Sequence, residues 1–306
     1  MLNRRFLLQT SALLAVPAIA RAQTGTQTNS WAAQYPELVF AIIPSENASG
    51  VMDRWAPFTS YMSRKLGTKV TLRVANDYAA VIEGQRSGNI HIASYGPSSF
   101  ARALMTGAKI EAFAIETNLD GTKGYYSVFY VKKDSPYQKV EDLKGKNLGL
   151  VDPNSTSGNN VPRFALNKMN IKPEEFFNRV VYTGSHENAI IALNQGTVDM
   201  AANWWNDEQE SNLLRMARKN MVKADDFRII FKSDQIVNSP MAYLTDLPAD
   251  LRSAIRTAVL AMPTEDKQGF DHLYDGKSGP WQPVDNAAYK PIIELNSFVD
   301  SLRRRG

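Results

Sequence analysis

The chain contains no cysteine, which excludes disulfides, thiol nucleophiles, iron–sulfur clusters and cysteine-based zinc sites together. Histidine is nearly absent as well: His91, His186 and His272 are too few for a histidine-rich metal centre. No segment after residue 22 is long and apolar enough to span a bilayer, which takes about 20 residues. What is present is ample for a folded protein. The 306 residues are 43% hydrophobic and 22% charged, enough for two ordinary globular domains and too apolar for wholesale disorder. The excess of 35 Lys and Arg over 31 Asp and Glu suggests, at face value, a nucleic-acid or anionic-membrane partner.

Residues 1–22 read as an export signal. Arg4 and Arg5 form a basic start, Phe6 to Ala20 an apolar stretch interrupted by Pro17, and Ala20-Arg21-Ala22 a small-x-small cleavage site. The paired arginines before Phe6-Leu7-Leu8-Gln9 resemble a twin-arginine signal. The competing reading is a buried N-terminal helix. Removing Arg4, Arg5 and Arg21 lowers the net charge from +4 to +1, and Arg303–Arg305 more than account for the remainder. The basic character therefore belongs to the export label and the chain's end. No nucleic-acid partner is expected, and the mature chain is expected in the periplasm.

Residues 24–36 are polar and irregular. Beyond them, strand and helix patterns alternate. Leu38–Ile43 is a strand-length apolar run, and Trp55, Phe58, Met62 and Leu66 form the stripe of an amphipathic helix ended by Gly67. Strands are expected at 70–74, 90–93, 110–115, 125–131, 148–151, 180–182, 198–201 and 228–231. Helices are expected at 78–86, 98–105, 161–169, 187–194, 249–262, part of 264–274, and 286–302. This alternation predicts an α/β fold built on parallel sheets.

A weak internal repeat lies within it. Gly88-Asn89-Ile90-His91-Ile92-Ala93 matches Gly196-Thr197-Val198-Asp199-Met200-Ala201 in pattern, and ten residues before each glycine stand Tyr78 and His186, each at a predicted helix start. Either any helix–glycine–strand unit looks like this, or two similar halves face each other across a cleft with these residues pointing in.

The segment Asp152-Pro153-Asn154-Ser155-Thr156-Ser157-Gly158 sits between a strand and a helix. Its three hydroxyls meet the unpaired backbone N–H groups of a helix start, which is the chemistry of an anion site. One of them could equally serve only as a helix cap. No Gly-Lys-Ser/Thr closes the loop, so it is not a Walker A motif. Gly184-Ser185-His186-Glu187 offers a second donor-rich helix start, where the imidazole is either a ligand contact or a structural histidine.

Together Asp77 to Gly84, Tyr95-Gly96, Gly124-Tyr125-Tyr126-Ser127, Asp152 to Gly158 and His186-Glu187-Asn188-Ala189 resemble, in order, the periplasmic phosphonate-binding proteins of phosphonate/phosphite ABC importers. The similarity runs from about residue 38 to 262, and Asp152 to Gly158 is its most specific element. The resemblance implies a type II periplasmic binding fold: two α/β lobes that close on a ligand like a Venus flytrap, with 37–125 and 235–306 in one lobe and 126–234 in the other. It implies that Ser155, Thr156, Ser157 and His186 grip the oxygens of a phosphonate, phosphite or phosphate ester, with Tyr78 and Tyr125 contributing. Members that bind aminoethylphosphonate hold its ammonium with two carboxylates. By register these fall at Asn206 and Ser239, and neither is acidic, although Asp207 is adjacent. Trp204 or Trp205 could wall off a smaller pocket, pack on a larger group, or receive a quaternary ammonium.

The function expected is capture of a small anion and delivery to an ABC permease, with no cofactor, no metal and no catalysis. The alternatives are a ligand-sensing partner of a membrane receptor, which shares the fold, and a secreted phosphoryl-processing enzyme, for which His186 near Ser155 would have to act as a base.

Overall fold

The computed structural model describes residues 31–305. The expected export signal lies outside these described residues. The strands are β1 (Glu37–Ile42), β2 (Lys69–Val74), β3 (Ile92–Ser94), β4 (Ile110–Thr117), β5 (Gly124–Lys132), β6 (Asn147–Leu150), β7 (Arg179–Tyr182), β8 (Met200–Trp205), β9 (Phe227–Lys232), β10 (Ile236–Val237), β11 (Pro240–Leu244) and β12 (Gly279–Pro283). The helices are α1 (Ala48–Leu66), α2 (Tyr78–Arg86), α3 (Pro97–Met105), α4 (Val161–Lys168), α5 (Pro173–Phe176), α6 (His186–Asn194), α7 (Asn212–Arg218), α8 (Ala249–Glu265), α9 (Lys267–Tyr274) and α10 (Lys290–Arg305).

Two six-stranded sheets result. The first runs β12-β4-β11-β3-β1-β2; the second runs β10-β5-β8-β6-β7, with β9 also paired to β5. The chain passes between them twice, at residues 118–123 and 238–239. The parallel ladders expected from the alternation are there: β1 with β2 and β3, and β6 with β7 and β8. The sheets are nonetheless mixed. Strands β5 and β11, which follow the two crossings, and the late strand β12 pair antiparallel with their neighbours.

Alternation within β5 shows how the second sheet is held. Val128 and Tyr130 pack into one apolar cluster with Ala189, Ile190 and Leu193 of α6. Phe129 and Val131 pack into another with Leu148, Leu150 and Leu166. A strand buried on both faces reads as the unbroken apolar run seen in the sequence. In the first sheet, Phe40 meets Trp55 and Phe58 of α1 at ring-centroid distances of 5.2 and 4.7 Å. Trp55, Phe58, Met62 and Leu66 are all buried, and each contributes roughly 1.5–3 kcal/mol by leaving water. Among the described residues no helix is long and apolar enough to cross a membrane.

Candidate functional site

Between the two sheets lies a cavity of about 130 Å³, small against the several hundred cubic ångströms of drug-sized pockets. All eight residues singled out in the sequence line it: Tyr78, Tyr125, Ser155, Thr156, Ser157, His186, Asn206 and Ser239. They arrive from different elements. Tyr78 is the first residue of α2 and His186 the first of α6, Tyr125 is near the start of β5, and the three hydroxyls follow β6.

The hydroxyl segment forms a π-helical turn, Thr156–Asn160, leading into α4. Ser155 is its cap and accepts from Gly158 N at 3.1 Å. Glycine is required at 158, because a Cβ there would lie 2.4 Å from Val151. Within the triplet, capping therefore falls to Ser155. Thr156 and Ser157 occupy the first two positions of the turn, where backbone N–H groups have no intrahelical acceptor. Thr156 Oγ1 accepts from Ser98 N of α3 at 2.8 Å, which leaves its own O–H to donate. The Tyr78 hydroxyl is buried with no partner in hydrogen-bond geometry, although Ser155 lies close enough to act on it. Burial pushes the Tyr78 and Tyr125 phenols well above their ordinary range, so both remain O–H donors at neutral pH.

His186 is held from behind. Asn203 Nδ2 donates to the His186 carbonyl at 2.9 Å, and Asn203 Oδ1 lies 3.0 Å from His186 Nδ1. His186 Nε2 points at Ser155 Oγ, 3.4 Å away. Burial lowers the imidazole to about 4, partly offset by the Asn203 hydrogen bond. At neutral pH the ring is uncharged.

Another part of the cavity lining is ionic. Glu46, Arg54, Glu116, Glu210 and Arg215 line it. Arg54 pairs with Glu46 at 2.7 Å and Arg215 with Glu210 at 2.6 Å. Burial raises the Glu116 carboxyl to about 7 despite the hydrogen bond it accepts from Tyr274 at 3.1 Å. Glu116 N donates to the Ser239 carbonyl, so a carboxylate stands one strand over from a position where the sequence register had lacked one. Asn206 is tied to Asn118 of the crossing at 3.0 Å, and Asp207 is spent on the turn amides of Gln209 and Glu210.

The two tryptophans separate. Trp204 lines the cavity with the Arg215 guanidinium over its ring at 5.1 Å, so that face is already occupied by a cation. Trp205 points elsewhere, against Tyr126 and beneath Lys232 Nζ at 3.8 Å. The strand carrying both begins at Met200, two residues later than its apolar pattern suggests.

Sequence reasoning missed the ionic wall and Asn203. One signal pointed to the wall. Ser94, Glu116 and Thr117 end strands β3 and β4, and ligands of open α/β sheets gather at the carboxyl ends of strands. Asn203, an amide inside a fully apolar strand, likewise called for a partner.

Contacts across the cavity hold the two sheets together. Asn47 N donates to Glu187 at 2.9 Å, Lys219 pairs with both Glu46 and Glu187, and Asn296 of α10 joins Asn160 to Ser98.

Known proteins are similar to this chain in sequence and fold. The phosphonates-binding periplasmic protein of Escherichia coli is 35% identical over 226 residues, covering 72% of this chain; the chain spans 65% of that protein's length. A phosphate-import protein of Mycolicibacterium smegmatis is 27% identical over 97% of this chain and 96% of its own. The crystal structure of a binding protein component of an ABC phosphonate transporter from Pseudomonas aeruginosa superposes with a TM-score of 0.78 at 29% identity, covering 88% of each chain. A family described as ABC transporter, phosphonate, periplasmic substrate-binding protein matches residues 40–289. This chain belongs to that family and has its two-lobed binding-protein fold.

Proposed function

We propose that this protein captures a phosphonate-type oxyanion outside the cytoplasm and delivers it, in the closed form, to an ABC permease, without chemical turnover. One observation carries the reading. Tyr78, Tyr125, Thr156 and Ser157 direct neutral donors from both sides into a small cavity, and one of these hydroxyls, that of Tyr78, is buried with no partner of its own. A tetrahedral phosphorus oxyanion supplies the missing acceptors. Relatives named for phosphonates and for phosphate import support the same ligand chemistry. The lobes follow the sheets, dividing at 118–123 and 238–239 and not at 125/126 and 234/235, and ligand contacts from both lobes favour closure. Export by the twin-arginine route belongs to the same proposal.

Calorimetry with methylphosphonate, phosphite and phosphate tests it. At least one should bind, and Thr156→Ala/Ser157→Ala should weaken binding by roughly a hundredfold or more, since the two charge-assisted hydrogen bonds removed contribute about 1.5–3 kcal/mol each. Undiminished binding in the double variant overturns the site. Ser155, His186 and Asn203 have the connectivity of a nucleophile, base and orienting amide, which favours hydrolysis as the second reading. Turnover of a phosphonate ester by the purified protein, lost in Ser155→Ala, would establish it.

A further inference from the structure

Every polar side chain at the oxyanion end of the cavity can offer a hydrogen, with one exception. The donors are the hydroxyls of Tyr78, Tyr125, Thr156 and Ser157, joined by the first amides of the π-helical turn. The exception is His186 Nε2, and Asn203 determines its state. Trp204 N donates to Asn203 Oδ1 at 2.9 Å, while Asn203 Nδ2 donates to the His186 carbonyl at 2.9 Å. Flipping the amide would set N–H against N–H and oxygen against oxygen. Oδ1 is therefore the atom facing His186 Nδ1, and Nδ1 carries the hydrogen. A neutral imidazole has one N–H, so Nε2 presents a bare lone pair. The single hydrogen of Ser155 can cover that lone pair or reach a ligand, but not both.

We propose that the site selects a singly protonated oxyanion, whose P–O–H donates to His186 Nε2 while its other oxygens accept from the surrounding donors, with Asn203 as the positioning residue that sets this polarity. The inference deepens the proposed function and rests on it. The proton balance is simple. A monoanion brings its proton; a dianion must take one from solvent, and the complex holds that proton between ligand oxygen and Nε2. A sulfonate of the same shape has no such proton at neutral pH. It would place an anionic oxygen against a lone pair.

Other ionisable groups must be separated from His186. Tyr78 and Tyr125 face it, Asp152 lies beside Tyr78, and Glu187, next along α6, pairs with Lys219. Elsewhere in the lining, Glu46 and Glu210 are held in ion pairs with Arg54 and Arg215, and Lys277 adds a further cation. Glu116, raised to about 7, is the rival proton acceptor.

The test is calorimetry of the intact protein with methylphosphonate and methanesulfonate across pH, each in two buffers of different ionisation enthalpy. Above the second ionisation of methylphosphonate, binding should take up one proton and Kd should rise about tenfold per pH unit. Methanesulfonate should bind at least roughly a hundredfold more weakly at neutral pH. His186→Gln, which offers a donor in place of the lone pair, should lose the proton uptake and narrow the gap between the two anions, whereas Glu116→Gln should keep the uptake. Asn203→Asp should stabilise a proton on Nε2 and carry the steep limb to higher pH; if that variant fails to fold, the His186→Gln comparison still decides. Methylphosphonate binding with no proton uptake, equal affinity for the two anions, or uptake abolished by Glu116→Gln and kept in His186→Gln each overturns the inference and leaves the proposed function standing. Failure of every phosphorus oxyanion to bind at any pH overturns both.

Discussion

The units that open with Tyr78 and His186 share a backbone and differ in chemistry. Each is a nine-residue helix behind a polar cap, Asp77 accepting from Ala80 N and Ser185 accepting from Asn188 N. Each is followed by a glycine at positive φ, Gly88 at 78° and Gly196 at 73°, a conformation only glycine adopts cheaply, and then by a strand that is parallel to one neighbour and antiparallel to the other. The first helical side chain of each reaches the same cavity. There the likeness ends. The Tyr78 hydroxyl has no partner, while the His186 ring is fixed by Asn203. A repeated backbone thus places two side chains equivalently, and their neighbours decide which of them is an uncommitted donor and which is an oriented acceptor.

Breaking the His186 side should have the largest effect. Asn203→Leu strips the partners of the His186 Nδ1–H and the Trp204 amide and removes the side-chain donor to the His186 carbonyl. Denaturant unfolding should show a loss of about 2–4 kcal/mol, because each buried polar group left unpaired costs about 1–3 kcal/mol and part is recovered by relaxation. Tyr78→Phe should act in the opposite sense on the two observables. It removes a charge-assisted donor and weakens oxyanion binding by roughly tenfold to a hundredfold, yet leaves unliganded stability equal or slightly higher, since no native hydrogen bond is lost. A fall in stability as large as the loss in binding would show that the hydroxyl is structurally employed. The caps should be equivalent: Asp77→Ala and Ser185→Ala should each cost about 1 kcal/mol in thermal or denaturant unfolding.

The smallest effect is a cancellation. His186 is depressed from 6.5 to about 4 by burial, so its contribution to stability is complete above pH 6.5 and is lost as pH falls through 4. Glu116 is raised from 4.5 to about 7 by burial, so its contribution is complete below pH 4.5 and is lost as pH rises through 7. Between 4.5 and 6.5 the two oppose each other, and these groups should leave unliganded stability nearly flat. Glu116→Gln should expose the His186 limb, with stability falling as pH drops from 6.5. A variant whose stability rises over that range would show that His186 gains its proton on folding.

Much of the scaffold was legible because it rests on local periodicity. The Trp55–Leu66 stripe, the apolar runs of β1 and β5 and the helix at 78–86 need only nearest neighbours and a buried face. Strand β11 was missed, although it lies at the centre of the first sheet between β3 and β4. It begins at Pro240 directly after a crossing, and its five residues carry no alternation because all are buried. The short helix α7 and strand β12 were missed for a related reason: seven and five residues carry too little period to stand out. The two tryptophans could not be told apart because the expected strand stopped at Ala201, whereas β8 runs on to Trp205 and its successive residues face opposite sides.

By itself, the amino-acid sequence determined the alternating strand and helix units, the hydroxyl-rich helix start at 155–157, the neutral character of the donors there and the absence of thiol chemistry. These depend on residue type and short spacing. Tertiary structure alone decided that Glu116 stands beside Ser239, that Arg215 covers Trp204, and that Asn203 dictates the hydrogen on His186. Those relations join residues on different strands and helices. The polarity of a buried group is set by whatever atom packing brings within 3 Å, at a range where sequence separation carries no information.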